Sequence, residues 1–303
     1  MELDGHIRFI GIGTQKGSWD GVYLNGLNTA NEFAYCDFIN GGSRTDDYNY
    51  PGVLNIESSK VSITHCTVSG GKVHGITLWN NSEITAFNNN KVENCDHAPV
   101  YIKGSFKLLE KFDMTSIFTG NAKQYIQVNP AISLSQDASI SQTSVPYYFT
   151  NATGTIDAKL QINEGVIIYM GDGVSLNFDG APSAGRLIFN GTAEKKIRFT
   201  RLPGAAYYWN HLNFRGLTGS VINHCIFEYG GRYDGTGIIE IASNADLTLN
   251  NVEINNSYNY GVRIVEVTPA ITYHLVHSNV TFANNNTGNV FVYFSNEVLV
   301  HFP

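Results

Sequence analysis

Glu57, Lys103, His74 and the adjacent pair Asp46-Asp47 are the side chains of this 303-residue chain whose types and spacing could do acid–base chemistry. A carboxylate and a lysine on neighbouring strands could take a proton from a polysaccharide or give one to it. The aspartate pair could hold a hard cation such as calcium. Tyr23, Asn25, Asn55, Trp79 and Tyr101 lie among them and suit sugar recognition, because aromatic faces cover pyranose C–H faces and amides bond hydroxyls. Either chemistry needs a rigid surface that brings together residues up to 80 positions apart (103 minus 23).

Such a surface is implied by the way these residues recur. Short segments of apolar-x-apolar follow a glycine or other small residue: Val22-Tyr23-Leu24, Leu54-Asn55-Ile56, Ile76-Thr77-Leu78 and Val100-Tyr101-Ile102. In a strand the middle residue of each triplet points outward, so stacked strands would align Tyr23, Asn55, Thr77 and Tyr101 in one column. Asn25, Glu57, Trp79 and Lys103 would form the next. Four strands spaced by about 4.8 Å give a face roughly 15 Å long, enough for a few sugar rings. An ordinary β surface would carry the same Tyr, Thr and Trp simply because they are good strand formers.

The beat is close to 23 residues, from Gly52 to Gly75 (75 minus 52), and 24 from Gly237 to Gly261 (261 minus 237). A second, longer repeat encloses it. Ile7-Arg8-Phe9, Trp19, Cys36, Phe38 and Gly41-Gly42 return as Ile197-Arg198-Phe199, Trp209, Cys225, Phe227 and Gly230-Gly231, shifted by about 190 residues (209 minus 19, 225 minus 36). Periods of this length mark a solenoid, whose turns bury a core only by stacking. Two-residue alternation holds in almost every segment and no window carries a 3.6-residue apolar stripe, so the turns are built of strands. Asparagine runs (Asn88-Asn89-Asn90, Asn250-Asn251, Asn255-Asn256, Asn284-Asn285-Asn286) favour parallel stacking. Asparagine accepts the left-handed backbone of a tight corner, and its amide can bond the same amide one turn away.

The stretches 158–169 and 185–200, followed by Trp209, resemble the repeat of secreted right-handed parallel β-helix proteins, the pectate-lyase-like architecture found on bacterial cell surfaces. The resemblance implies an all-β, single-stranded right-handed parallel β-helix: a first copy over 1–145, with 104–145 its least clear part, and a second over 146–303, together one continuous solenoid. It also implies an extracellular or cell-surface location. The scaffold carries lyases, hydrolases, adhesins and proteins of no known activity, so function has to come from the outward face. Asp46-Asp47, His74-Gly75 and Tyr101-Ile102-Lys103 resemble the acid pair, Gly-His-Gly and Arg-Ile-Lys elements of polygalacturonases. The chain departs from that pattern where His74 lacks the preceding glycine and Tyr101 replaces the arginine.

Composition narrows the partners. With 43% hydrophobic residues the chain can bury a long core, and its net charge of −7 with scattered Lys and Arg disfavours nucleic acid. No apolar run is long enough to span a membrane as a helix. The cysteines read as buried free thiols, Cys36, Cys66 and Cys95 repeating one position per turn and Cys225 copying Cys36. Trp19 and Trp209 recur in register and close a turn; His65 matches Asn251 and reads as a corner. The loops 43–50 and 232–235 share Arg, Tyr and Asp, and loops often carry ligand contacts. Glu240, with Arg263 and Arg215, reads as a surface ion ladder. The first copy lacks the rung-like lead-in that precedes the second, so a piece of a longer exported protein is expected, its export signal upstream.

A glycoside hydrolase needs two carboxylates about 5 to 9 Å apart, and Glu57 has no acidic neighbour in its columns unless Asp46 or Asp47 folds over. A polyuronate lyase could use Lys103 as base but would need a cation cluster that is not apparent. The expectation is therefore a monomeric, noncatalytic glycan-binding or surface-display protein without a required cofactor. A polysaccharide lyase or hydrolase is the alternative, and a structural spacer the third reading.

Overall fold

The computed structural model describes residues 5–26, 30–43, 51–79, 81–129, 131–150, 153–179, 186–242, 245–265 and 274–293. Strands take 54% of the chain and helix 2%, which excludes a helical repeat. Contacts divide the chain into two units, Met1–Pro130 with Gln142–Tyr148 and Ala131–Ser141 with Phe149–Pro303. Each is a parallel β-solenoid, with about nine turns between them.

In the first unit a turn has three strands. Val22–Asn25 leads to Ala30–Ala34 and, past a corner at Tyr35, to Cys36–Ile39. Gly52–Glu57, Lys60–Thr64 and Thr67–Ser69 form the next turn, and His74–Trp79, Glu83–Asn88 and Lys91–Glu93 the third. Like pairs with like in parallel: Tyr23 with Asn55, Asn31 with Val61, Asp37 with Thr67. Leu54 pairs with Ile76, an offset of 22 (76 minus 54), and Gly52 pairs with His74, so the 23-residue glycine spacing is not the register. The apolar row sets the register because a one-residue slip would turn Leu54, Ile56, Ile76 and Leu78 to the outside. All four are at most 1% exposed, and burying such a side chain contributes about 1.5–3 kcal/mol.

The second unit repeats the plan with longer strands. Ser220–Glu228, Asp246–Asn255 and His274–Ala283 run straight through the corner that the first unit breaks at Tyr35. Beside them lies a sheet that includes Leu176–Asp179, Leu212–Arg215, Gly237–Ala242, Tyr260–Val265 and Gly288–Tyr293. Its core holds a stacked ladder, Phe189 to Phe199 at 5.5 Å and Phe199 to Phe227 at 5.2 Å.

The corners explain the asparagines. Tyr35, His65 and Asn89 have φ of 54°, 54° and 53°; His224, Asn251 and Asn279 have 48°, 55° and 53°. Each of these six turns thus places a corner residue in the left-handed region, where asparagine is least penalised among residues with a side chain. Amides then bond along the column: Asn89 donates to His65 at 3.2 Å, Asn279 to Asn251 at 2.8 Å. His65 is a corner residue, as its match to Asn251 suggested. The duplicated tryptophans also have one job in both units. Trp19 Nε1 donates to Ile39 O (2.8 Å) and Trp209 Nε1 to Glu228 O (2.6 Å). A Cβ on Gly41 or Gly230 would sit 3.0 or 2.9 Å from the indole, so only glycine allows that close approach.

One expectation fails at the cysteines. All four are buried and free, and Cys36 and Cys66 occupy matching positions, immediately before the paired residues Asp37 and Thr67. Cys95, however, lies beyond Lys91–Glu93, whose Lys91 pairs with Thr67, so the Cys66 position in that turn belongs to Asn90. Asn90 accepts from Cys66 N there, at 3.0 Å. An equal sequence interval misled because the turns differ in length. The unclear region near residue 104 holds a 3-10 turn, Phe106–Leu109, capped by Ser105 and burying Phe106, Leu108 and Leu109.

Candidate functional site

The two outward columns of the first unit form in the expected register. Tyr23 pairs with Asn55, Asn55 with Thr77 and Thr77 with Tyr101; Asn25 pairs with Glu57, and Trp79 with Lys103. Alternation along each strand made that legible.

Exposure splits the columns. Tyr23 is 44% exposed, whereas Asn55 is 2%, Thr77 0% and Tyr101 5% exposed, so three of the four lie under other parts of the protein. Asn55 is occupied structurally. Its Oδ1 accepts from Gly52 N at 2.9 Å and Thr77 Oγ1 at 2.6 Å, and its Nδ2 donates to Gly52 O at 2.7 Å. Tyr101 stacks on His74 with ring centres 5.0 Å apart. Neither Asn55 nor Tyr101 offers a surface to a sugar.

His74 cannot serve as an acid or base near neutral pH. It is 2% exposed. Burial first, and the neighbouring His97 second, push it down to about 3, so the ring stays neutral. Its Nδ1 lies 3.3 Å from Ala98 O, a bond that anchors the ring in place.

What remains accessible is a shorter strip. Tyr23 Oη donates to Glu57, and Asn25 Nδ2 donates to Tyr23 Oη at 3.0 Å. Further along, Lys103 Nζ lies 4.8 Å from the Trp79 ring centre, with the Tyr101 edge against the indole at 6.4 Å. The ammonium covers one indole face, so a ligand on this strip meets a cation over Trp79 and a phenol–carboxylate–amide row beside it. Asp46 and Asp47 lie outside the described residues. Among the described residues no group of three or more His, Cys, Asp or Glu side chains could hold a metal.

The second unit corrects the reading of Glu240 as a surface ladder. Asn213, Glu240 and Arg263 do stack in register, but Glu240 is 6% exposed. Its Oε1 accepts from Arg263 Nη1 at 3.1 Å, and His211 Nδ1 lies 3.5 Å from Oε2. His211 Nε2 is bonded to Asn177 Oδ1 at 3.2 Å. Burial chiefly lowers the His211 pKa, with Glu240 opposing and Arg263 reinforcing the shift. Among the described residues Asn213 Oδ1, Asp179 Oδ1 and Arg263 Nε are buried without a hydrogen-bond partner. In the 232–235 loop, Arg232 is held by Asp172 at 2.6 Å and Tyr233 is 54% exposed.

Sequence reasoning missed one feature, a cleft of about 530 Å³ in the second unit, over Ile167–Met170, Ile197–Thr200 and the end of Ser220–Glu228. The signal was available: Arg201 and Tyr229 stand where the first copy has Gly11 (201 minus 190) and Asn40 (229 minus 189). No protein-family pattern, no curated protein and no solved structure matches this chain.

Proposed function

We propose that this protein is a noncatalytic, monomeric β-solenoid of the cell exterior that binds glycan on the accessible strip of its first unit. The observation that carries the reading is the row Tyr23, Asn25 and Glu57, tied by mutual hydrogen bonds on paired strands and continued by the Trp79–Lys103 stack. Rigid strands hold phenol, amide, carboxylate and ammonium at fixed spacing, the requirement for reading sugar hydroxyls without reorganisation. Glu57 engages a phenol rather than a second carboxylate, and His74 is locked neutral, which favours binding over hydrolysis or elimination.

The test is a polysaccharide panel, with and without calcium, read together for thermal shift, new reducing ends and unsaturated-uronate absorbance. A thermal shift without product, lost in Trp79→Ala and weakened in Glu57→Gln, is expected. Product that disappears in Glu57→Gln or Lys103→Ala makes the protein a polysaccharide-degrading enzyme instead. Silence with every polysaccharide leaves a structural spacer.

A further inference from the structure

The cleft of the second unit has the makings of a separate ligand site. Its floor is the outward row Tyr169, Thr200 and Glu228: Tyr169 pairs with Thr200, and Phe199 with Phe227 one residue earlier. Arg198 stands on the adjoining row, 3.7 Å from Glu228. The 201–205 loop forms one wall, turned by a bond from Ala205 N to Leu202 O (3.0 Å) and by Gly204 at φ 77°. Arg201 starts that wall. Its guanidinium lies 4.0 Å from the Tyr229 ring centre and 5.3 Å from that of Tyr208, and Nη1 donates to Tyr207 O at 2.9 Å. A guanidinium held against two phenol rings and a backbone carbonyl is preorganised, with further N–H donors beyond the one used.

The internal duplication supplies a control for what the fold itself needs. Trp209, Gly230 and Phe227 keep the identities of Trp19, Gly41 and Phe38, whereas Thr200, Arg201, Glu228 and Tyr229 replace Ile10, Gly11, Ile39 and Asn40. A solenoid turn closes with either set, so the polar set is not demanded by the scaffold. Tyr229 even holds a corner at φ 61° where the following turns use Asn256 and Asn284 at 55° and 56°. A bulky ring tolerates that conformation less well than asparagine.

We propose that this cleft binds a saccharide residue carrying one negative charge, a carboxylate or a sulfate half-ester. Two arginines face one carboxylate among the lining residues, leaving one positive charge in a chain of net charge −7. Guanidinium groups match the planar or trigonal oxygens of such anions. The ring of Tyr169 suits a sugar face, and Thr200 and Glu228 suit its hydroxyls. That the ligand is a sugar rests on the glycan reading; that it is an anion rests on the cleft alone.

The experiment is calorimetric titration of the intact chain with one oligosaccharide in three forms: uronate-bearing, carboxyl-reduced neutral, and carboxyl-reduced but O-sulfated. At least one charged form should bind about tenfold more tightly than the neutral one, the expected worth of one charge-assisted hydrogen bond, and the stronger of the two names the anion. Arg201→Gln and Arg198→Gln should each remove most of that preference. Arg201→Lys, which keeps the charge, should retain part of it, with unfolding temperatures confirming intact folds. Equal affinity for neutral and charged forms, no binding of any form, or an undiminished preference in Arg201→Gln overturns the proposal. Trp79→Ala separates the two sites: binding lost only there leaves the first-unit reading standing and this one refuted, and the reverse pattern does the opposite.

Discussion

The two units place a polar column at the same point of the repeat and resolve it in opposite ways. In the first, Gly52 N and Thr77 Oγ1 both donate to the Asn55 amide, a neutral clamp with its hydrogen-bonding capacity used. In the second, Glu240 takes the place of Asn55, accepting from Gly237 N at 3.4 Å as Asn55 does from Gly52 N. There a carboxylate, a guanidinium and an imidazole share a buried site, and Asn213 Oδ1 and Arg263 Nε lack hydrogen-bond partners among the described residues. In these two turns a side-chain acceptor stands three residues after the glycine, and it does not need a particular charge. Once the acceptor is charged, the neighbours must compensate, because an unpaired buried charge costs several kcal/mol.

Removing Glu240 should break the contrast most severely. Glu240→Ala leaves Arg263 and His211 without their shared carboxylate in a largely buried site, and a loss of about 3 kcal/mol is expected by urea unfolding. Replacing both members, Glu240→Met with Arg263→Leu, should recover most of it; failure to recover would mean that the ion pair itself is net stabilising.

Acid sharpens the comparison next. His74 is neutral in the folded state down to about pH 3, whereas the unfolded chain protonates it near its ordinary 6.5. Between those values the unfolded state binds more protons. Stability should therefore fall as pH drops through this window, by up to about 1.4 kcal/mol per pH unit. His74→Phe, which keeps the stack on Tyr101, should flatten the slope. His211 shifts in the same direction but is opposed by Glu240, so Glu240→Gln should steepen the acid loss of the second unit.

Asn55→Ala should cost less, about 1–3 kcal/mol, because the donors and the carbonyl it orphans are all neutral. A loss as large as that of Glu240→Ala would show that charge is not what distinguishes the columns. The corners should give the smallest effects. Asn251→Val should cost about 1–2 kcal/mol for a left-handed β-branched residue, and Asn251→Gly should stay within a few tenths once the lost amide bond is offset by relief at φ 55°.

Pattern in the chain was enough to align Tyr23 with Asn55, Thr77 and Tyr101, to equate Trp19 with Trp209, and to place His65 at a corner, since each follows from alternation, duplication or backbone preference. It was not enough for Cys95, whose interval matched while its turn did not. It also gave no warning that Tyr101 and His74 are covered, or that Glu240 is enclosed with His211. Outward from the strand and outward to water are different properties, as the burial of Asn55, Thr77, Tyr101 and Glu240 shows.

The sequence by itself determined the repeating strand, the duplication and the corner chemistry, because these depend on near neighbours and on a two-residue alternation that any solenoid must obey. Only the tertiary structure decided which outward residues meet solvent, which carboxylate is buried, and that Tyr169, Arg201 and Tyr229 surround one cleft. Those outcomes depend on packing between segments that are remote in the chain, which near-neighbour pattern does not encode.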